Sequence, residues 1–335
     1  MASQPARKVK ELCEFLSPSD RVLVLMKPDP DALSSAWALK RLLTGRVQTC
    51  QVAHVGEIVR LENKAMVRIL RIRSERLDKV DLSTFTKFAL VDGQPDQFGE
   101  MTLPRFDIVI DHHPVVTAFD APYQDLRPEE GATATILTEY LQRAKARIPK
   151  ALATALCFGI KTDTNGLTRG ASPRDVKAYA FLLPKAHLTH LRQIEQERVS
   201  RTDLDLLARA IGKVEMRRKF LFVFLEGPVP PDSLVILADT FVGVAGASVV
   251  AVAGTYRSRA VVILRGKGPR VDVGRIARSA FGEFGNAGGH QVAARAEVLL
   301  SRLPEGVAGD DPEGIGAWAK KQIQGNLSSR KKKTP

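Results

Sequence analysis

The sequence is poor in cysteine and contains no hydrophobic run of membrane-spanning length. Its three cysteines lie far apart and lack the spacing of metal ligands, which argues against a disulfide framework and against a zinc knuckle. Arg7, Lys8 and Lys10 lie near the start, but no apolar segment follows them, so no signal peptide is predicted. No internal repeat is visible. We therefore expect a protein of the cytoplasm without a membrane partner.

The composition is that of a soluble globular protein with a basic balance. At 335 residues, with 44% apolar and 26% charged residues, the chain is long enough for two domains. Its formal net charge of +13 favours polyanionic partners such as nucleic acid, nucleotides or polyphosphate, because Lys and Arg attract anions. Part of this charge lies in residues 328–335, which we predict to be a disordered tail.

The first half of the chain alternates between apolar runs and helical patterns. Strands are predicted at residues 21–26, 47–54, 88–91 and 106–110, and helices at 32–43, 62–70, 132–144 and 151–160. Such alternation predicts the α/β class, with a parallel sheet that has helices on both faces and ligands at the carboxyl ends of its strands.

Acidic residues and a histidine pair follow the predicted strands. Asp29 and Asp31 come after the first strand, Asp92 after the third, and Asp111 with His112 after the fourth. Asp163 follows the helix at residues 151–160 in the same way. A single Asp at such a point is usually a cap. Together they predict a metal site, because carboxylates and imidazoles at one sheet edge are ligands for a divalent ion.

The second half is predicted to form a separate domain. Residues 186–215 are charged and helical in pattern, and we interpret them as a connector between a domain at 1–185 and a domain at 216–327. The second domain is predicted to contain strands at 219–225, 247–253 and 260–264, with a turn at 254–258 and helices up to 241 and at 272–281. Residues 284–290 read as a glycine-rich loop that ends in His290.

These segments resemble the DHH phosphoesterase superfamily, and more closely its members with a C-terminal DHHA1 domain. The resemblance covers nearly the whole chain and rests on residues 28–32, 91–92, 111–113, 131–135 and 159–163, and on residues 288–290 followed by Ala293 and Ala294. It implies an N-terminal DHH domain, with a mainly parallel sheet flanked by helices, and a smaller C-terminal α/β DHHA1 domain. Its members include nanoRNases, bisphosphate-nucleotide phosphatases and exopolyphosphatase-related proteins.

The resemblance also implies a role for each residue of the site. Asp92 would bridge two Mn²⁺ ions, with Mg²⁺ or Co²⁺ as alternative metals. The ligands of one ion would be completed by Asp31, His112 and Asp163, while Asp29 would serve the other ion. His113 would face the scissile phosphate, and Asp111 would orient a histidine. In the second domain the substrate-binding residues would be Arg265, Gly288, Gly289 and His290.

One position departs from the family pattern. Family members usually carry a metal-ligating histidine four residues before the first aspartate, and here that position is Leu25. Neither Met26 nor Lys27 offers an equivalent ligand. His54, at the end of the second strand, is an alternative that we rank below an ordinary strand-end histidine. The departure leaves the occupancy of one metal position open.

Three functions therefore remain at this stage. The first is a metal-dependent phosphoesterase that acts on short oligoribonucleotides, on linear or cyclic dinucleotides, or on nucleoside 3',5'-bisphosphate. The second is an inorganic pyrophosphatase or exopolyphosphatase. The third is a catalytically weakened DHH protein that binds nucleotides or nucleic acid. The partner would be a nucleotide or a short RNA or DNA substrate, and the choice between monomer and homodimer stays open.

Overall fold

The chain forms two compact units, Met1–Arg198 and Val199–Pro335. The computed structural model describes residues 4–98, 105–115, 117–197, 199–268 and 271–328. The predicted basic tail lies outside these residues, apart from Ser328 at the end of the last helix. None of the described helices is both long and apolar enough to cross a membrane.

The first unit alternates strands and helices. Its elements are α1 (Gln4–Phe15), β1 (Arg21–Met26), α2 (Pro30–Leu43), β2 (Thr49–His54), α3 (Leu61–Leu70), β3 (Glu75–Arg76), β4 (Lys87–Val91), β5 (Ile108–Asp111), β6 (Tyr123–Leu126), α4 (Thr133–Arg143), α5 (Lys150–Asp163), α6 (Pro173–Leu182) and α7 (Leu188–Gln196). Short 3-10 turns cover Leu77–Lys79, Leu82–Thr84, Pro95–Phe98 and Leu183–Lys185.

The six strands form one parallel sheet in the order β3-β2-β1-β4-β5-β6. Side chains of β1 alternate between two apolar clusters: Val24 packs in one with α2, α4 and α5, while Leu23 and Leu25 pack in the other. Burial on both faces explains why these strands read as continuous apolar runs. The α/β prediction, with a mainly parallel sheet flanked by helices, is confirmed. Helix α1 and strands β3 and β6 were not predicted.

The second unit is built on a mixed sheet. Its elements are α8 (Arg201–Ile211), β7 (Glu215–Arg217), β8 (Phe220–Pro228), α9 (Pro231–Phe241), β9 (Val249–Tyr256), β10 (Arg259–Gly266), α10 (Val273–Phe281), β11 (Gly285–Gly289), β12 (Ala293–Leu299), a 3-10 turn (Leu300–Arg302) and α11 (Pro312–Ser328). The strand order is β11-β12-β10-β9-β8-β7. Among the described strands of this second sheet, only β8 and β9 pair in parallel, and the other neighbours are antiparallel.

Two predictions for the second unit were wrong. The glycine-rich segment is not a loop, because residues 285–289 pair with β12 as an edge strand. A Cβ on Gly285 would lie 2.2 Å from the carbonyl oxygen of Glu297, so glycine allows close pairing here. The turn predicted at 254–258 is shorter, since β9 continues to Tyr256 and the chain reverses at Arg257, whose φ is 53°.

The segment interpreted as a connector contains two helices that belong to different cores. Leu191 and Ile194 of α7 pack into the core of the first unit. Leu206 and Ala210 of α8 pack into a core of the second unit. The division between the units falls between these helices, at residues 198 and 199.

Candidate metal centre

The carboxyl ends of three adjacent strands bring the acidic residues together. Asp29 and Asp31 follow β1, Asp92 directly follows β4, and Asp111 is the last residue of β5. Because β1, β4 and β5 are neighbours and run parallel, these residues share one edge of the sheet. Asp163 joins them from the last position of α5.

Asp31 is held by the start of α4. Its side chain is fully buried and accepts hydrogen bonds from the backbone nitrogens of Thr133, at 2.6 Å, and Ala134, at 2.7 Å. Burial and the charge of Asp163 nevertheless raise the pKa of Asp31 to about 7. The carboxylate of Asp31 is therefore held close to the negative charge of Asp163 in a buried site.

Asp92 has a backbone conformation that L-residues seldom adopt. Its φ is 56°, and its nitrogen donates to the carbonyl of Ile110 at 3.0 Å. The Thr133 hydroxyl donates to Asp92 Oδ1 at 2.9 Å. Burial, followed by the charges of Asp31 and Asp29, raises the pKa of Asp92 well above its usual range. Unusual backbone conformation together with a perturbed carboxyl is typical of a functional position.

His112 presents a buried nitrogen to two carboxylates. Its Nδ1 lies 3.2 Å from the carbonyl oxygen of Glu130, so a proton on Nδ1 leaves Nε2 as a potential ligand. Nε2 is buried, has no hydrogen-bond partner among the described residues, and lies 3.5 Å from Asp92 Oδ1 and 3.3 Å from Asp163 Oδ2. Burial opposes protonation, but Asp163 and the charge of Asp31 raise the pKa of His112 to about 9.

Asp111 lies behind the cluster and orients His113. Its Oδ1 is 2.8 Å from His113 Nδ1, and its Oδ2 accepts from Gln94 Nε2 at 2.9 Å. Burial of Asp111 favours its neutral form, but the hydrogen bonds from His113 and Gln94 lower its pKa below the ordinary value. The side chain of His113 is 40% exposed, so its other nitrogen can reach a ligand from solvent.

Two overlapping groups could hold a metal ion. One comprises Asp31, Asp92, His112 and Asp163, and the other comprises Asp92, His112 and His113; within each group the ligand atoms lie within 4.8 Å of one another. Asp29 is in neither group. It caps α2 by accepting from the nitrogen of Ala32 at 2.8 Å, and burial with the charge of Asp163 raises its pKa to about 6.

These residues fit a divalent ion. Three carboxylates and one imidazole match the oxygen and nitrogen ligands that Mn²⁺ accepts. A cation would also give the unpartnered His112 Nε2 a partner and offset the mutual repulsion that raises the carboxyl pKa values.

The position of the missing histidine is closed by apolar packing. Leu25 is fully buried between Ala53 and Leu90 of the neighbouring strands. Lys27 Nζ lies 5.0 Å from the centroid of the Phe98 ring. His54 belongs to neither metal group, and its Nδ1 lies 3.1 Å from Ser74 Oγ. No side chain of these three therefore replaces the histidine.

The predicted substrate residues lie together at one end of the second sheet. Arg265 pairs across the strands with Ala293, and Ala294 pairs with Gly289. The backbone nitrogen of His290 donates to the Ala293 carbonyl at 2.8 Å. Gly288 faces open space. The Arg265 guanidinium already has a partner, since its Nε donates to Asp239 at 2.5 Å.

Sequence reasoning missed the groups that position the ligands. These are Gln94, the carbonyl of Glu130, and the backbone nitrogens of Thr133 and Ala134. Residues 131–135 resemble the family pattern, but nearly every residue type has a backbone nitrogen that can donate. The sequence therefore does not show which backbone nitrogens contact a ligand. Only the fold brings them to Asp31.

Part of the chain is similar to a known family. Residues 21–160 match the DHH family, N-terminal domain. An uncharacterized protein of Methanocaldococcus jannaschii is 35% identical over 280 residues, 83% of this chain and 58% of that protein. A probable manganese-dependent inorganic pyrophosphatase of Deinococcus radiodurans is 30% identical over 166 residues, 48% of this chain and 52% of that protein. The chain thus spans just over half of the length of these two relatives.

A solved structure shares the fold over both units. An exopolyphosphatase-related protein from Bacteroides fragilis matches with a TM-score of 0.72 and 15% identity, and the match covers 96% of this chain and 98% of that chain. At this identity the likeness concerns the fold alone. It agrees with a parallel-sheet domain followed by a second, smaller sheet domain.

Proposed function

We propose, from the match of residues 21–160 to the DHH family, N-terminal domain, that the chain is a metal-dependent phosphoesterase of the DHH superfamily. Its substrates would be short oligoribonucleotides, linear or cyclic dinucleotides, or nucleoside 3',5'-bisphosphate. The observation that carries the proposal is the buried Nε2 of His112, which lies between the carboxylates of Asp92 and Asp163 without a hydrogen-bond partner among the described residues.

The ion would be held by Asp31, Asp92, His112 and Asp163, and Mn²⁺ is the metal that we propose. When bound, a divalent ion neutralises phosphate charge and lowers the pKa of water, so that hydrolysis proceeds near neutral pH. The manganese-dependent relative from Deinococcus radiodurans supports this choice. Asp92 would also serve the second ion position, with Asp29 as a further ligand.

His113 would contact the phosphate. Asp111 fixes its Nδ1, which sets the orientation of the ring and directs the remaining nitrogen away from the buried carboxylate. When it carries a proton, that nitrogen would donate a hydrogen bond to a phosphate oxygen and deliver the proton to the leaving oxygen.

The second unit would bind the rest of the substrate. Gly288 has open space where a side chain would be, so backbone and phosphate could approach closely. His290 is exposed and would donate to a phosphate oxygen. Arg265 would bind a phosphate through its guanidinium, of which Nε already donates to Asp239.

Two other functions are favoured by particular observations. The relative from Deinococcus radiodurans favours hydrolysis of inorganic pyrophosphate or polyphosphate. Buried Leu25 favours a weakened DHH protein that binds nucleotides or nucleic acid, because it removes one metal ligand from the family pattern.

The test is hydrolysis of a substrate panel in the presence of Mn²⁺. The panel contains linear and cyclic dinucleotides, nucleoside 3',5'-bisphosphate, pyrophosphate and polyphosphate, with Asp92→Ala as the control. We expect base-dependent cleavage of nucleotide substrates that Asp92→Ala abolishes. Preference for pyrophosphate would favour the phosphoanhydride alternative. Turnover no higher than that of Asp92→Ala on every substrate would contradict the proposal.

A further inference from the structure

One loop supplies the hydrogen bonds that hold three of the proposed ligands. Within residues 130–135, the carbonyl of Glu130 lies 3.2 Å from His112 Nδ1. The nitrogens of Thr133 and Ala134 donate to Asp31, and the Thr133 hydroxyl donates to Asp92. We call this segment, which runs from the turn before α4 into the first three residues of that helix, the 130–135 loop. A displacement of the loop would disturb all of these ligands at once.

The carboxylate of Asp175 accepts hydrogen bonds from residues near both ends of the 130–135 loop. Its Oδ2 accepts from the nitrogen of Gly131 at 2.8 Å, and its Oδ1 accepts from the Thr135 hydroxyl. The same Oδ2 accepts from the nitrogen of Ser172 at 2.6 Å. Asp175 is fully buried, and three donors satisfy its carboxylate where water cannot reach it.

The loop has no room to shift. A Cβ on Gly131 would lie 2.6 Å from Thr164 Cγ2, 2.9 Å from Asp175 Oδ2 and 2.9 Å from the carbonyl oxygen of Gly170. Thr164 is the residue that follows Asp163. The loop therefore packs between the end of α5, which carries one proposed ligand, and the start of α6, which carries Asp175.

A comparable helix start shows that capping alone does not require this arrangement. Both α6 and α8 begin with a capping box, formed by Ser172 with Asp175 and by Ser200 with Asp203. Asp203 bonds only to Ser200 and to Ser233 among the described residues. Asp175 makes the same cap and also bonds the loop.

We propose that Asp175 is a positioning residue of the metal centre: through the 130–135 loop it fixes Asp31, Asp92 and His112 in the arrangement that binds the divalent ion. The inference rests on the proposed metal-dependent function. It concerns a residue that neither touches the ion nor contacts any proposed ligand directly, so it acts through two successive hydrogen bonds.

Calorimetric titration of the full chain with Mn²⁺ tests the inference. We expect Asp175→Ala to weaken Mn²⁺ binding about tenfold, because loss of groups that orient ligands costs this much in other metal sites. Asp203→Ala makes the same change in the capping box of α8 and should leave Mn²⁺ affinity unchanged, although both substitutions lower the melting temperature. Asp175→Asn should restore most of the affinity, since its oxygen can accept from both nitrogens while its amide donates to Thr135.

The outcomes separate this inference from the proposed function. Wild-type protein that binds no Mn²⁺ would contradict both. Wild-type binding with an unchanged affinity in folded Asp175→Ala, or an equal loss in Asp203→Ala, would overturn the role of Asp175 alone. If Asp175→Ala does not fold, Thr135→Val removes one bond at constant volume, and unchanged Mn²⁺ affinity in that variant would overturn the role.

Discussion

At the scale of single residues, the site is dominated by charges that share a buried space. Burial, and in each case the charge of at least one neighbouring aspartate, raise the pKa values of Asp29, Asp31 and Asp92. Burial opposes protonation of His112, but Asp163 and the charge of Asp31 raise its pKa to about 9. Part of this cluster therefore binds protons near neutral pH in the metal-free protein, and a divalent ion has to displace them.

Mn²⁺ binding should release protons. At pH 7 His112 is protonated because its pKa is about 9, and Asp31, with a pKa of about 7, is partly protonated. We expect at least one proton released per ion and an affinity that rises with pH through this range. Titration calorimetry in buffers of different protonation enthalpy measures the number. Heat of binding that is independent of the buffer would show that no proton is displaced.

Substitution of Leu25 tests whether the absence of the family's histidine at this position limits metal binding. We expect Leu25→His to lower stability by about 1–3 kcal/mol without metal, because it buries an imidazole among apolar groups. Added Mn²⁺ should then restore stability, and the number of bound ions should rise from one to two. Leu23→His is the matched control, since Leu23 is equally buried in the same cluster but lies two residues farther from the carboxyl end of β1. Equal ion stoichiometry in wild type and Leu25→His would show that Leu25 does not limit the second position.

Residue types indicated which side chains are candidate ligands, but not which groups hold them in place. The sequence shows two carboxylates after β1 and a histidine pair at the end of β5. Because each group directly follows an apolar run, its position at the end of a strand can be predicted. The partner of His112 is a backbone carbonyl, and the partners of Asp31 are backbone nitrogens. Any residue has these groups, so only the fold reveals them.

At the scale of elements, α5 lies very close to the start of α2. A Cβ on Gly159 would lie 2.5 Å from Ser34 Oγ and 3.1 Å from both Asp31 Cα and the carbonyl oxygen of Pro30. Glycine at this point lets α5 approach α2 closely. The contact sets the separation of Asp163 from Asp31, because each lies on one of these helices.

Gly159→Ala should therefore damage both stability and metal binding. We expect a loss of about 1–3 kcal/mol in the free energy of unfolding, as for other overpacked sites, together with weaker Mn²⁺ binding as Asp163 moves away from Asp31. Denaturant unfolding and calorimetry measure the two effects. Gly212→Ala is the control, because Gly212 has a φ of −68° and its nearest neighbour lies 3.7 Å away. Identical behaviour of the two variants would contradict the close-packing role.

Elements with continuous apolar runs or regular helical spacing were predicted well, whereas several strands without an apolar run were not. Strand β6 escaped prediction because its burial depends on polar partners: Asp125 pairs with Arg127 and accepts from Tyr140, all of them buried. A charged residue in a short run normally indicates surface. Strand β11 was not predicted for a different reason. Its glycines allow close pairing with β12, but a glycine-rich segment is usually interpreted as a loop.

At the scale of the whole molecule, the candidate metal ligands and the proposed substrate-binding residues lie in different units. The candidate metal ligands all lie in the first unit. Arg265, Gly288, Gly289 and His290 lie in the second. The order of motifs along the chain predicted this division, because the family resemblance covers both halves. The two helices at residues 188–211 could not be assigned to separate cores from their charge pattern.

The most direct measurement is an anomalous diffraction map from crystals of the protein grown with Mn²⁺. The proposed function predicts a manganese peak bounded by Asp31, Asp92, His112 and Asp163, which should disappear in Asp92→Ala. A wild-type map at saturating Mn²⁺ with no peak among these four side chains would contradict the metal centre and the function derived from it.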